Sequence, residues 1–373
     1  MSNSILPLDD RLRIGVQTIH RRTEPAVGAW LPMIDEMRTL VELVECSGYD
    51  SLWVGDHISF HIAILDPLLQ LAQAAVISRG LILGTGVYLV PLRNPTPVAK
   101  QVSTLDHLTE GRFIFGVGVG GEFPKEFEAC GVPVAERGAR LDESIAVMRK
   151  LWSGKPATHE GRFFKFEGVT MQPPPRQVGG PPIWCGGRSD AALRRIGRMT
   201  DGWMSYVITP EMFRQGLEKI AAAATESGRV FHRGFGTAHL LFTCIDDTYE
   251  KALDAATVAL SQRYGMDFRK AAERYCALGP PQRVVESIMR FHEAGVRHVI
   301  LDFVGRYEER DRQIERFASE ALPLLAGLRQ RPARAARRQN RATREKCRRV
   351  RAGTMRVIGC RRFKSLRGVI VCS

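Results

Sequence analysis

No run of about 20 apolar residues occurs in the 373-residue chain, so no segment reads as a membrane-spanning helix. The N-terminus, MSNSILPLDD, lacks the charged and then apolar pattern of a secretory leader, and a cytoplasmic location is expected. Eight cysteines (Cys46, Cys130, Cys185, Cys244, Cys276, Cys347, Cys360 and Cys372) include no CxxC pair. They read as reduced, mostly buried thiols, and no zinc site is expected. No short-period internal repeat is found. Acid is almost missing from one end: Arg331 to Ser373 holds 15 basic residues and one acidic residue, Glu345. That segment carries the whole formal charge of +14, and residues 1–330, with 39 basic and 39 acidic groups, are neutral overall.

The chain therefore divides into a neutral body, 1–330, and a basic extension, 331–373. The extension has few apolar anchors and is expected to be disordered. A tether to nucleic acid or an anionic surface is one reading of it, and an unfolded appendage is the favoured one.

In the body, short β-branched runs alternate with longer segments of helical period, the order expected of parallel strands joined by helices. Strands are predicted at Leu12 to Gln17, Ser51 to Gly55, Leu81 to Leu89, Phe113 to Val117, Ile183 to Cys185, Gly202 to Tyr206, Ala238 to Ile245 and Arg297 to Phe303. Asp66-Pro67 and Asn94-Pro95 each place a capping side chain before proline, which opens a helix. After a helix at Glu136 to Trp152, the stretch THEGRFFKFEGVTMQPPPRQVGGPP alternates aromatic and polar residues around EG turns and reads as an inserted hairpin. A helix from Glu308 to Leu328 closes the pattern. Eight such units favour an α/β fold of the (β/α)8 TIM-barrel type, with the hairpin inserted after strand four.

In a βα barrel, the residues just after each strand face the ligand. After strand two come Asp56 and His57. An imidazole can hold or deliver a proton near neutral pH, and a carboxylate beside it can fix its tautomer. A turn cap and a polar loop residue are the plainer reading, and a metal site of Asp56, His57 and His61 lacks a further ligand. Gly84 and Gly86 in strand three suit a flat ring against the backbone, or a barrel bulge. Strand four ends in FIFGVGVGGEFPKEF, where Gly118 and Gly120 read as a binding loop and Glu122 as an acid at the pocket mouth. Glu126 and Glu128 are expected to face solvent. Strand five ends in WCGGRSDAALRR, where Gly186, Gly187, Arg188 and the helix cap Ser189 make an anion site.

These stretches resemble the luciferase-like monooxygenase superfamily of flavin- and deazaflavin-dependent TIM-barrel oxidoreductases. The resemblance covers about Arg13 to Leu328 and rests on GYDSLWVGDHI, LGTGVYLVPLRNPTPVAKQVSTLDHLTEGRFIFGVGVG, ERGARLDESIAVMRKLW and PPIWCGGRSDAALRRIGRMTDGW. The Asp56-His57 pair resembles the branch that uses coenzyme F420. That resemblance implies a non-proline cis peptide at Gly86-Val87 behind the ring, a phosphate site at Gly186, Gly187 and Arg188, and a ring or substrate contact from Gln17. It implies hydride transfer between the deazaflavin and a small organic substrate, with His57 and Asp56 at the reacting centre and Glu122 as a second acid. Phe60 lines the pocket in this reading, and Trp53 belongs to the core. A homodimer is a further implication.

The body shows no clear basic cluster for the polyglutamate tail of F420. FMN, used by a monooxygenase with reduced flavin and oxygen, therefore stays open as the alternative cofactor, and a non-catalytic flavin-binding protein as a third reading.

Overall fold

A computed structural model describes residues 10–18, 34–60, 64–230 and 234–330. Eight parallel strands close into a barrel: β1 (Arg13–Thr18), β2 (Ser51–Val54), β3 (Ile82–Thr85), β4 (Phe113–Gly118), β5 (Ile183–Gly186), β6 (Gly202–Tyr206), β7 (Gly236–Ile245) and β8 (His298–Phe303). Each pairs with the next, and β8 returns to β1 with Arg13 opposite His298. This is the (β/α)8 barrel that the alternation of apolar runs predicts.

Helices of the expected lengths join the strands. The Asp66 carboxylate accepts from the Leu68 and Leu69 amides at 3.0 and 3.1 Å and opens Pro67–Ile77, while Asn94 accepts from the Thr96 amide at 2.9 Å and opens Pro95–Leu108. The inserted hairpin is also present, with Ala157–Glu160 antiparallel to Lys165–Val169.

Three features depart from the sequence reading. The third strand stops at Thr85, and Tyr88–Leu89 resumes by pairing with the end of β4. A short helix, Arg269–Tyr275, and a strand, Ala277–Gly279, lie between β7 and β8, and the strand extends the sheet beside β7. The closing helix is broken into several pieces around a wide turn at Phe317–Ala321.

Indole rings fill the barrel interior. Trp53 and Trp184 stack at 5.6 Å, and His298 meets both edge-on. Trp53 Nε1 donates to Ser51 Oγ at 2.7 Å, and Ser51 Oγ lies 2.6 Å from His298 Nε2. The serine oxygen therefore bridges the indole N–H and the imidazole inside the barrel. A Cβ at Gly84 would stand 2.3 Å from the Trp53 ring. The flat group packed against Gly84 is therefore the barrel's own tryptophan, which corrects the reading of a cofactor ring there.

Among the described residues, Cys130, Cys185, Cys244 and Cys276 are free thiols. No described helix is long and apolar enough to cross a membrane. The basic extension, 331–373, lies outside the described residues.

Candidate active site

All eight strands, or the segments that follow them, contribute to one cleft at the C-terminal mouth of the barrel. Among the sequence candidates, Gln17, Asp56, His57, Gly86, Val87, Gly118, Gly120, Glu122, Gly186 and Gly187 line it; Arg188 does not. Phe60 also lines it, whereas Trp53 is fully buried in the barrel core.

His57 is held by Glu126 and not by Asp56. Its Nδ1 lies 3.1 and 3.2 Å from the two Glu126 carboxylate oxygens, and the Ile58 amide donates to the same carboxylate at 3.2 Å. Glu126 has no solvent exposure, which corrects its assignment to solvent. The reason is local: Pro124–Ala129 is one short helix, and docking of Phe127 into the apolar cluster with Leu89 and Leu92 turns Glu126 inward as well. In the tautomer with its proton on Nδ1, the ring donates to the Glu126 carboxylate, and Nε2 is left as an acceptor. Nε2 has no hydrogen-bond partner among the described residues. Phe60 stacks on the imidazole at 4.0 Å, and Phe123 meets Phe60 edge-on at 5.6 Å.

Asp56 is consumed elsewhere, which corrects its proposed support of His57. Arg93 grips it with both terminal nitrogens, at 2.6 and 2.9 Å, and the Leu89 amide donates at 2.8 Å. Burial raises the Asp56 carboxyl above its ordinary value, and the Arg93 hydrogen bonds and charge oppose that rise. Arg93 also lies 4.1 Å over the Tyr88 ring. The pair ties β2 to the irregular end of β3 and so shapes the cleft wall. The metal reading loses Asp56 and His57 to these partners, and His61 lies outside the described residues.

The glycines of strand four answer mainly to β3. A Cβ at Gly116 would meet the Thr85 carbonyl oxygen at 1.8 Å, and one at Gly118 would meet Val87 Cγ2 at 2.4 Å. A Cβ at Gly186 would stand 3.1 Å from Val87 Cγ1. Val87 thus wedges between the ends of β4 and β5. The Gly86–Val87 peptide is cis, as the family resemblance implies.

Gln17, next to last in β1, lies inside the cleft with 6% exposure, and its Oε1 has no hydrogen-bond partner among the described residues. A buried acceptor left unsatisfied costs about 1–3 kcal/mol, so the atom suits a ligand donor. Glu122 is exposed and accepts from the Tyr206 hydroxyl at 2.7 Å. Burial, reinforced by Glu122, pushes the Tyr206 phenol well above its ordinary value, so it stays protonated. Arg188 turns from the cleft and donates to the Val207 carbonyl at 2.6 Å.

Sequence reasoning missed a buried pair at the far wall. Arg263, at the end of helix Tyr249–Tyr264, donates to Asp302 of β8 at 2.9 and 3.4 Å, and both line the cleft. Burial alone would lower the Arg263 guanidinium, but the Asp302 charge outweighs it and holds it above its ordinary value. An arginine on a helix and an aspartate in an apolar strand run carry no local signal of pairing. Asp302 in HVILDF, a charge in a strand otherwise buried, was the available hint.

The sequence pattern of the luciferase-like monooxygenase family matches residues 13–298. The chain belongs to that family. Within it, the chain is 31% identical over 241 residues to a 4-hydroxyprotoasukamycin monooxygenase of Streptomyces nodosus subsp. asukaensis, covering 62% of this chain and 63% of that protein. The chain thus spans less than two thirds of that relative's length. Among the solved structures that share the fold are two whose cofactors are named. The coenzyme F420 dependent tetrahydromethanopterin reductase of Methanopyrus kandleri superposes with a TM-score of 0.68 at 21% identity, over 85% of this chain and all of that one. The oxygenating constituent of 3,6-diketocamphane monooxygenase of Pseudomonas putida, in complex with FMN, superposes with a TM-score of 0.67 at 19% identity, over 84% and 98%. This luciferase-like chain thus shares its fold with an F420-dependent protein and with an FMN-bound one.

Proposed function

We propose that the chain is an oxidoreductase that transfers hydride between coenzyme F420 and a small organic substrate. The observation that carries the reading is His57, a cleft imidazole fixed at Nδ1 by a buried carboxylate with Nε2 left for a ligand. Two features fit a ring with an imide N–H: the orphaned Gln17 Oε1, and the bare Gly86, where a Cβ would crowd that oxygen to 2.5 Å. A bound deazaflavin would supply the two-electron hydride chemistry. The protein's part is to accept the ring N–H at Gln17, to hold the cleft wall through Asp56 and Arg93, and to move a proton at His57 Nε2. Gly186 and Gly187 would bind phosphate by their amides beside the helix Asp190–Met199.

One observation favours FMN as a second reading. Among the described residues lining the cleft, the only lysine or arginine is Arg263, and Asp302 engages it. A polyglutamate tail would find no other cation in that wall. The proposal includes a barrel domain, 1–330, followed by a separate basic extension, and a homodimer in the cytoplasm.

Titration of the full chain with oxidised F420, and separately with FMN, followed by fluorescence quenching, tests the reading. Micromolar binding of F420 with weak FMN binding supports it. Preference for FMN selects the oxygen-using alternative. A substrate-linked change in cofactor absorbance then separates an enzyme from a carrier.

A further inference from the structure

The Arg188 side chain, expected at a phosphate, is engaged in a different task. It donates to the Val207 carbonyl at 2.6 Å, and its guanidinium lies 5.6 Å over the Tyr206 ring. Val207 is one of two described non-glycine residues with positive φ, at 51°. A β-branched residue is strained in that region, and surrounding contacts must hold it there. The strained residue immediately follows Tyr206, so Arg188 touches both the phenol ring and the backbone at the point where the chain leaves β6.

The phenol reaches Glu122, on the loop after β4, at 2.7 Å. Strands β4 and β6 flank β5, so this hydrogen bond joins the two neighbours of the strand that ends in Gly186 and Gly187. All four residues line the same cleft. The Gly187 carbonyl is itself pinned by Trp203 Nε1 at 2.8 Å. The carboxylate of Glu122 thereby stands on the same rim as the glycine loop, where its charge opposes an incoming anion.

We infer that Arg188 is a positioning residue: by holding the Val207 carbonyl and covering the Tyr206 ring, it sets the Tyr206 to Glu122 latch across the end of β5, instead of binding the ligand phosphate. The latch itself requires no ligand. Its effect on phosphate-bearing cofactors rests on the flavin or deazaflavin reading above.

The test is done on the full chain with ring-labelled tyrosine, first without ligand. Tyr206 is assigned among the seven tyrosines by the resonance lost in Tyr206→Phe. In Arg188→Ala, the Tyr206 resonance is expected to move and the other tyrosines to stay. Arg188→Lys, which can still donate to the carbonyl but lacks the planar guanidinium, should move it less and serves if the alanine variant does not fold. An unmoved Tyr206 resonance in a folded variant overturns the inference, whether or not any cofactor binds. The second arm compares FMN with riboflavin, which lacks the phosphate. Arg188→Ala should change the affinities of both alike and add little in a Tyr206→Phe background, while Glu122→Gln should raise FMN affinity relative to riboflavin. A severalfold loss for FMN alone, additive with Tyr206→Phe, would make Arg188 a phosphate ligand and contradict the inference.

Discussion

Histidines at two depths of the barrel behave in opposite ways. His298, near the start of β8, is sealed among Trp53, Trp184 and Ser51, and His239 is sealed against Ser205 and Phe291. Burial pushes both down to about 3, with no carboxylate in hydrogen-bond contact, so they stay neutral and serve packing. His57, at the mouth, has a carboxylate on one nitrogen and the cleft on the other. The same side chain is structural or chemical according to its partner and its access to solvent.

Substitutions at the two levels should separate stability from chemistry. Trp53→Ala removes the interior stack and should cost about 3–5 kcal/mol in denaturant unfolding. His57→Ala should leave unfolding within about 1 kcal/mol yet slow cofactor-linked turnover by about 10²–10⁴-fold. A His57→Ala variant that loses stability and keeps its rate would reverse the comparison.

The sealed histidines also set a pH dependence. An unfolded histidine takes up a proton near pH 6.5, but in the native state these two do so only at about 3. Their contribution to stability is complete above about pH 6.5 and is lost as pH falls towards 3. The slope is about 1.4 kcal/mol per pH unit for each histidine within that window. Urea midpoints measured from pH 7.5 to 5 should fall accordingly, and His298→Gln should flatten the slope by about one proton. A smaller effect is expected at the rim: Ser189 accepts from the Ala192 amide at 3.3 Å as the cap of Asp190–Met199. Ser189→Ala should cost about 1 kcal/mol in the same unfolding assay.

The barrel was legible because each strand is a short apolar run closed by turn chemistry, and such patterns are local. The partners within the site were not. Asp56 is adjacent to His57 in sequence, yet its hydrogen bonds come from Arg93 and Leu89, more than 30 residues away. Glu126 reads as surface because nothing in PKEFEA says which face of so short a helix will dock. The glycines of FIFGVGVGG suggested a ligand loop, and Gly116 and Gly118 are explained by Thr85 and Val87 of the adjoining β3 segment. Close approach of backbone was the right inference, but the approaching group belongs to the protein.

The most direct measurement is the dissociation constant for F420 of the wild-type chain and of Gln17→Leu, by fluorescence quenching. The account predicts micromolar binding by the wild type and about tenfold weaker binding by the variant, the loss of one hydrogen bond to a buried acceptor. Equal affinity in the two proteins, or no binding by the wild type, would contradict the placement of the cofactor ring against Gln17.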